Sequence, residues 1–368
     1  MVRFFKVGLI ALFVAPLYAA YTYTVEVDCS LNSPQRGDGV HEAILEIIHH
    51  SKRFATALSQ RDDRFNDILK WFFGVDVGNN DISHVFDVFQ RIGDMLPEIT
   101  EPTLNSLVRV HCDDQQRYKA KSDQFEDIPY PQDDATKTKT WVADIVNNCI
   151  SLASDLGCRE SSEVYAELLG SYREPHTRWL EVASRESSLN PDRTTLDICK
   201  RTFDSGLPFT FRQIAKKELD NPDFRAADID SLIGLVILHE LTHVPKLSEQ
   251  TFRVGGQPKA ETGGSEDYHG PEQLVGYYTH NTYDKTLAEH LENKIEYTMM
   301  NADSYAYALG LFILYGKQWV PSRDTDGTIK FTKDTNVPLE GDWPGAEPLE
   351  TAKRSIVHSP ASWPKAHL

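Results

Sequence analysis

The chain has 368 residues, with 38 basic and 55 acidic side chains, which gives a formal net charge of −17. A surface this acidic repels nucleic acid and anionic membranes, so we expect neither as a partner. The length allows one large domain or two, and the apolar fraction of 40% is ample for a core.

The first twenty residues have the layout of a secretory signal peptide. Two basic residues, Arg3 and Lys6, precede the apolar run 7–14, and Ala19 and Ala20 follow it. The run is too short to span a bilayer. We therefore expect cleavage after one of the two alanines and a secreted protein that does not associate with membranes. Loss of the two basic residues would take the net charge from −17 to −19.

Periodicity predicts most elements of the N-terminal half. Alternating side chains over 21–28 indicate a strand, and Gly74 is expected to end a helix. The remaining segments are predicted as helices over 40–58, 63–73 and 81–95, a strand over 107–111, and a loop or subdomain boundary over 113–139.

Two helices dominate the predicted C-terminal half. One covers 229–244, and the other covers 284–315 with an apolar stripe from Leu287 to Ile313. The Gly-rich polar stretch 249–278 between them is expected to be a long loop. Residues 318–368 show little periodicity and many Pro, Asp and Lys, so an extended or disordered tail is predicted.

Five cysteines suit a protein of an oxidising compartment. None lies in a C-x-x-C pair, so zinc bound by cysteines is not expected. Cys149 and Cys158 could close a short loop, and Cys112 with Cys199 is the second expected pair.

The most informative motif is H-E-x-x-H at His239, Glu240 and His243, inside the apolar helix over 229–244. Residues four apart lie on one face of a helix, so both imidazoles can bind one Zn²⁺. Glu240 can then act as general base toward a water on that metal. The alternative is an ordinary helix with two hydrogen-bonded histidines. A helix this apolar does not readily bury two histidines and a glutamate without a partner for them.

A catalytic zinc needs a third protein ligand. The pattern H-E-x-x-H-x-x-G-x-x-H is ruled out, because Lys246 and Glu249 occupy its last glycine and histidine positions. One remaining answer is a glutamate of the second helix: Glu289, Glu292 or Glu296. The other is the loop 263–270, which carries two carboxylates, a phenol and an imidazole between glycines: Glu266, Asp267, Tyr268 and His269.

Three ordered motifs resemble the fungal deuterolysin-like endopeptidases, the aspzincins. These have H-E-x-x-H, then a G-T-x-D-x-x-Y-G loop, then a helix often reading N-A-D-x-Y-A. The chain has His239–His243, the loop 263–270, and Asn-Ala-Asp-Ser-Tyr-Ala over 301–306. The resemblance covers about residues 195 to 316. It implies an α+β, zincin-like fold that is mostly helical with a small sheet and an active-site helix carrying H-E-x-x-H.

The resemblance also implies Zn²⁺ as cofactor and hydrolysis of peptide bonds. The loop lacks one residue of the family pattern. Matching by residue type makes Asp267 the third ligand and Tyr268 the phenol that stabilises the oxyanion. Alignment without a gap would instead place Glu266 and His269 there. Asp303 is expected to be either an outer partner of the site or a helix-packing carboxylate rather than a ligand, and a hydrogen bond from a ligating histidine would fit the first of these roles.

The sequence therefore predicts a secreted, monomeric zinc endopeptidase that acts on polypeptides. The alternative is a secreted non-catalytic zinc-binding or effector protein derived from the same fold. The predicted division of the chain is a signal peptide at 1–20, an N-terminal helical region or pro-segment at 21–139, a zincin-like metallopeptidase domain at 140–317, and an irregular tail at 318–368.

Overall fold

The computed structural model describes the following residues: 21–26, 28–31, 34–80, 82–97, 106–112, 118–120, 141–144, 149–152, 166–169, 178–179, 194–204, 208–214, 229, 232–248, 250–254, 257–261, 299, 302–323 and 329–338.

The described helices overlap the helices predicted over 40–58, 63–73, 81–95, 229–244 and 284–315, whereas 161–187, predicted as helix or loop, contains strands at Ala166–Leu169 and Arg178–Trp179. Gly74 adopts a left-handed conformation, with φ of 70°, and ends the helix Asn66–Phe73, as expected of a glycine. The helices are α1 Asp28–Leu31, α2 Pro34–Ser59, α3 Asn66–Phe73, α4 Ile82–Gly93, α5 Lys200–Asp204, α6 Ile233–His243, α7 Pro245–Ser248 and α8 Ala302–Gly316. Short 3₁₀ turns cover Asp63–Phe65 and Phe211–Gln213. The segment 284–298 of the second long helix lies outside the described residues.

The strands of the described chain are β1 Thr22–Val25, β2 Leu96–Pro97, β3 Val108–Cys112, β4 Tyr118–Ala120, β5 Trp141–Asp144, β6 Cys149–Leu152, β7 Ala166–Leu169, β8 Arg178–Trp179, β9 Thr194–Ile198, β10 Gln250–Val254, β11 Gln257–Glu261, β12 Trp319–Arg323 and β13 Ile329–Lys333. The main sheet has five strands in the order β2-β1-β3-β9-β7. Its pairs are parallel except β7 with β9, which is antiparallel. The fold is thus a mixture of helices and sheet, in agreement with the α+β prediction at this level.

One face of the main sheet belongs to the hydrophobic core. In the parallel register of β3 and β9, Val110 lies opposite Leu196 and Cys112 opposite Ile198, and all four side chains are buried. Helix α6 contacts α2, α8, β7 and β9. The core therefore joins residues from Tyr23 to Ile329 in one cluster, with elements from both sides of residue 140. The predicted domain limits stay predictions.

Helix α8 is buried along nearly its whole length. Phe312 stacks on Phe54 of α2, with ring centroids 4.7 Å apart. Phe72 of α3 stacks on Tyr307 at 6.1 Å. Within the described ranges, no helix has both the length and the apolar character that crossing a membrane requires.

Two predictions about irregular segments are wrong in part. Strands β10 and β11 form an antiparallel hairpin inside the segment predicted as a loop, and β12 and β13 form another inside the predicted tail. Each hairpin contains a proline, Pro258 or Pro321, which lowers a strand prediction but is tolerated on an edge strand. The tail hairpin is anchored by buried Trp319 and Ile329.

The predicted Cys112–Cys199 pair is also wrong, because Cys112 is bonded to Cys29. Strands β1 and β3 are parallel neighbours, so the chain after β1 and the end of β3 meet at one edge of the sheet. The sequence does not reveal that neighbourhood across a separation of 83 residues. The proposed Cys149–Cys158 bridge lies outside the described side chains.

Candidate metal site

Helix α6 has defined ends. At its start, the backbone N–H groups of Ile233 and Gly234 have no partner inside the helix. They donate to the carbonyls of Pro208 and Phe209 at 3.2 and 3.1 Å. At its other end Val244 is extended, with ψ of 115°, as the residue before a proline prefers. Pro245 then begins α7. The H-E-x-x-H residues occupy the last turns of α6, just before this break.

The histidines lie on the one stripe of α6 that is not fully buried. Val236, His239 and His243 are partly exposed, and every other residue of the helix is buried. These positions are three and four residues apart, so they share a face. The helix is held by the core on its remaining sides and presents the two imidazoles at the edge of the core.

The two imidazoles face each other. The Nε2 atoms of His239 and His243 are 3.2 Å apart, and the ring planes are inclined at 71°. Two nitrogens bound to tetrahedral zinc at about 2.0–2.1 Å each would lie about 3.3–3.4 Å from each other. The observed 3.2 Å is close to this separation, and it is also the distance of a hydrogen bond between the two rings.

Asp303 orients the first of these histidines. Its Oδ1 lies 2.8 Å from Nδ1 of His239, so a protonated Nδ1 donates a hydrogen bond to the carboxylate. With Nδ1 protonated, a neutral His239 has its lone pair on Nε2, the atom that faces His243. Asp303 stands in the first turn of α8, where the helix dipole favours a negative charge. The contact fits the first of the two roles expected for Asp303, that of an outer partner of a metal ligand.

Glu240 follows His239 on the same helix and has only 8% of its surface exposed. The His239 and Asp303 side chains are 21% and 27% exposed. His243 is partly exposed as well, so both imidazoles are accessible from solvent while the glutamate beside them is shielded from it.

The third ligand is not among these residues. Asp267, Tyr268 and their alternatives Glu266 and His269 lie outside the described residues, as do Glu289, Glu292 and Glu296. In the described ranges, no group of three His, Cys, Asp or Glu side chains could hold a metal ion. His239 and His243 are thus brought together with Asp303, and the rest of the predicted site stays a prediction.

Tyr305 of the Asn-Ala-Asp-Ser-Tyr motif has a structural role. It is fully buried, and its hydroxyl donates a 2.6 Å hydrogen bond to the carbonyl of Met299. Burial raises the pKa of Tyr305 well above its usual value. Its ring packs against Phe73 and Phe89, so this phenol is not available to a substrate.

Comparison of the chain with protein-family models, with curated proteins and with solved structures found no match.

Proposed function

We propose that the protein is a secreted, monomeric, zinc-dependent endopeptidase related to the aspzincins, with a zincin-like arrangement around α6. The observation that carries the proposal is the pair of Nε2 atoms 3.2 Å apart, one of them on a ring held by Asp303. Two imidazoles that only filled a helix surface would not need a carboxylate to fix the tautomer of one of them. The neighbouring Glu240 supports catalysis over simple metal binding, because a binding site has no use for a base there.

In this proposal His239, His243 and Asp267 would hold the zinc. When bound, zinc lowers the pKa of a water and polarises the carbonyl of the scissile peptide bond. Glu240 accepts a proton on its carboxylate and returns it to the leaving amine. Tyr268 donates a hydrogen bond to the developing oxyanion. Asp303 keeps the Nδ1 proton on His239 throughout.

An edge strand beside α6 supports a polypeptide substrate. Among the described strands, β7 comes last in the order of the main sheet, runs antiparallel to β9 and contacts α6. An edge strand offers unpaired backbone groups that an extended peptide can pair with. A peptide added there would lie beside the helix that carries His239, Glu240 and His243.

The decisive experiment is Glu240→Gln, tested for zinc content and for cleavage of an unfolded, basic polypeptide. Because Glu240 is not a ligand in this proposal, the variant should keep about one zinc per chain. Loss of the general base should slow cleavage by roughly 10²–10⁴-fold. Glu42→Gln, the same change on α2, is the matched control and should cleave like the wild type. A chelator should stop cleavage, and added zinc should restore it.

Two results would contradict the proposal in different ways. A wild-type protein that holds zinc but cleaves no polypeptide would favour the non-catalytic zinc-binding alternative. A His239→Ala, His243→Ala double variant that retains full zinc content would remove the metal site itself.

A further inference from the structure

Residues 208–214, which we name the cap segment, contact three helices of the core: α2, α6 and α8. The carbonyls of Pro208 and Phe209 accept the first N–H groups of α6, at 3.2 and 3.1 Å. These are two of the four donors that a helix start leaves without partners inside the helix. The position of the cap segment therefore determines where α6 begins.

Helix α2 holds the cap segment through a buried carboxylate. Glu46 is 4% exposed, and its two oxygens accept the backbone N–H groups of Phe211 at 2.7 Å and Arg212 at 3.3 Å. Burial raises the pKa of Glu46 above its usual value, although both N–H groups and the nearby Lys317 and Arg212 act in the opposite direction. A carboxylate is costly to bury, and these backbone donors and cations offset part of that cost.

Helix α8 and the residue that follows it hold Phe211 from the other side. Lys317, directly after α8, donates from Nζ to the carbonyl of Phe211 at 2.9 Å. The Phe211 ring is fully buried, and a methyl group added at Gly310 of α8 would lie 3.3 Å from it. Phe211 is thus fixed at its N–H by α2, and at its carbonyl and ring by α8.

We propose that Glu46 is a positioning residue for the metal site. The inference rests on the proposed function. Glu46 fixes the cap segment, and the cap segment in turn fixes the position of α6 relative to α8. Helix α6 carries His239 and helix α8 carries Asp303, the two partners of the hydrogen bond described above. A shift of the start of α6 would move His239 relative to Asp303, and His243 would move with it on the same rigid helix. Glu46 touches neither the metal nor the substrate.

The test is a double-mutant cycle read as zinc affinity, with zinc ion alone as the probe and a chromophoric chelator as competitor. Glu46→Ala should weaken zinc binding about tenfold, the low end of what loss of an outer partner costs, because Glu46 acts one step further out. In an Asp303→Asn background the same change should cost less than about threefold, because the hydrogen bond it protects is already lost. Thermal unfolding of the zinc-free proteins is measured separately.

Glu42→Ala is the matched control. Glu42 lies one turn earlier on α2 and pairs with the half-exposed Arg212 side chain of the same cap segment. An exposed ion pair stabilises little, so zinc affinity should stay within about twofold of the wild type. If Glu46→Ala does not fold, Glu46→Gln serves, since it keeps one acceptor oxygen and loses the charge.

Three outcomes would overturn the inference. Zinc affinity unchanged in both Glu46 variants, with only the unfolding temperature lowered, would make the cap segment purely structural. Equal losses in the wild-type and Asp303→Asn backgrounds would separate Glu46 from the hydrogen bond. A wild-type chain that binds no zinc would overturn the proposed function, and this inference with it.

Discussion

The protein should lose stability as the pH falls from 7.5 to 5.0, because His50 is held neutral in the fold. Burial, followed by the nearby His49, Arg53 and Lys317, lowers the pKa of His50 to about 3 from the ordinary 6.5. Its Nδ1 is buried without a hydrogen-bond partner, so no acceptor in the fold favours the charged form there. The unfolded chain takes up a proton near pH 6.5, and the folded chain does not until near pH 3.

The sign and size of this effect follow from the two pKa values. A lowered folded pKa means that the unfolded state binds more protons, so stability falls as the pH drops through 6.5 and stops falling near pH 3. The pH of 5.0 lies about 1.5 units below the pKa of His50 in the unfolded chain. At 1.36 kcal/mol per unit, protonation therefore stabilises the unfolded state by on the order of 2 kcal/mol. Burial also lowers the pKa of His84, to about 4, and should add a loss of similar size. A single loss of about 2 kcal/mol is already a large part of the roughly 5–15 kcal/mol that holds a typical domain folded.

The assay is urea unfolding of zinc-free protein at pH 7.5 and 5.0, for the wild type and for His50→Gln. The variant should lose on the order of 2 kcal/mol less between the two pH values. Lys52→Gln, a change of an exposed side chain on the same helix that leaves every histidine in place, is the control and should keep the wild-type pH dependence. Equal pH dependence in the wild type and His50→Gln would refute the reasoning, since His50 would then titrate alike in both states.

The remaining predictions concern the proposed zinc site. Asp303→Asn keeps the shape of the side chain and removes its charge, so zinc affinity should fall about tenfold, at the low end of the usual range because the pair is partly exposed. Asp94→Asn, on the surface, serves as its control, and equal affinity in the two variants would contradict the role of Asp303. Asp267→Ala should weaken zinc binding more than Glu266→Ala, measured by the same competition titration. The reverse order would favour the alignment that makes Glu266 the ligand.

Short-range patterns were the part of the fold that the sequence could predict. Apolar residues at helical spacing gave α2, α3, α4, α6 and the described part of α8, because burial of one helix face leaves that periodicity in the sequence. Alternating side chains predicted the strand at β1, and a short apolar run predicted the strand at β3. The hairpins β10–β11 and β12–β13 were missed, since Pro258 and Pro321 interrupt short strands that alternate weakly.

The site was predictable only where its residues are local or belong to a motif. His239 and His243 are one turn apart, and Asp303 was expected from the motif at 301–306. Glu46 could not be found, because its hydrogen bond to Phe211 joins residues 165 positions apart. A glutamate in a helix ordinarily belongs to its solvated face, and no local pattern distinguishes one that accepts backbone N–H groups of a distant segment.

The contact of Asp303 with His239 also bears on the third ligand. Zinc would lie beyond the far nitrogen of the His239 ring, one Zn–N bond of about 2.0–2.1 Å further on. If the third ligand were a carboxylate on the same helix as Asp303, it should stand about one turn, ~5.4 Å, from Asp303 in order to reach the zinc. The residues one turn earlier are Met299 and Met300, and Met299 is fully buried. On the helix predicted for 284–315, Glu296 would stand two turns away, about 10.5 Å along the axis. That spacing favours a ligand from the loop 263–270, where Asp267 lies, over one from the helix.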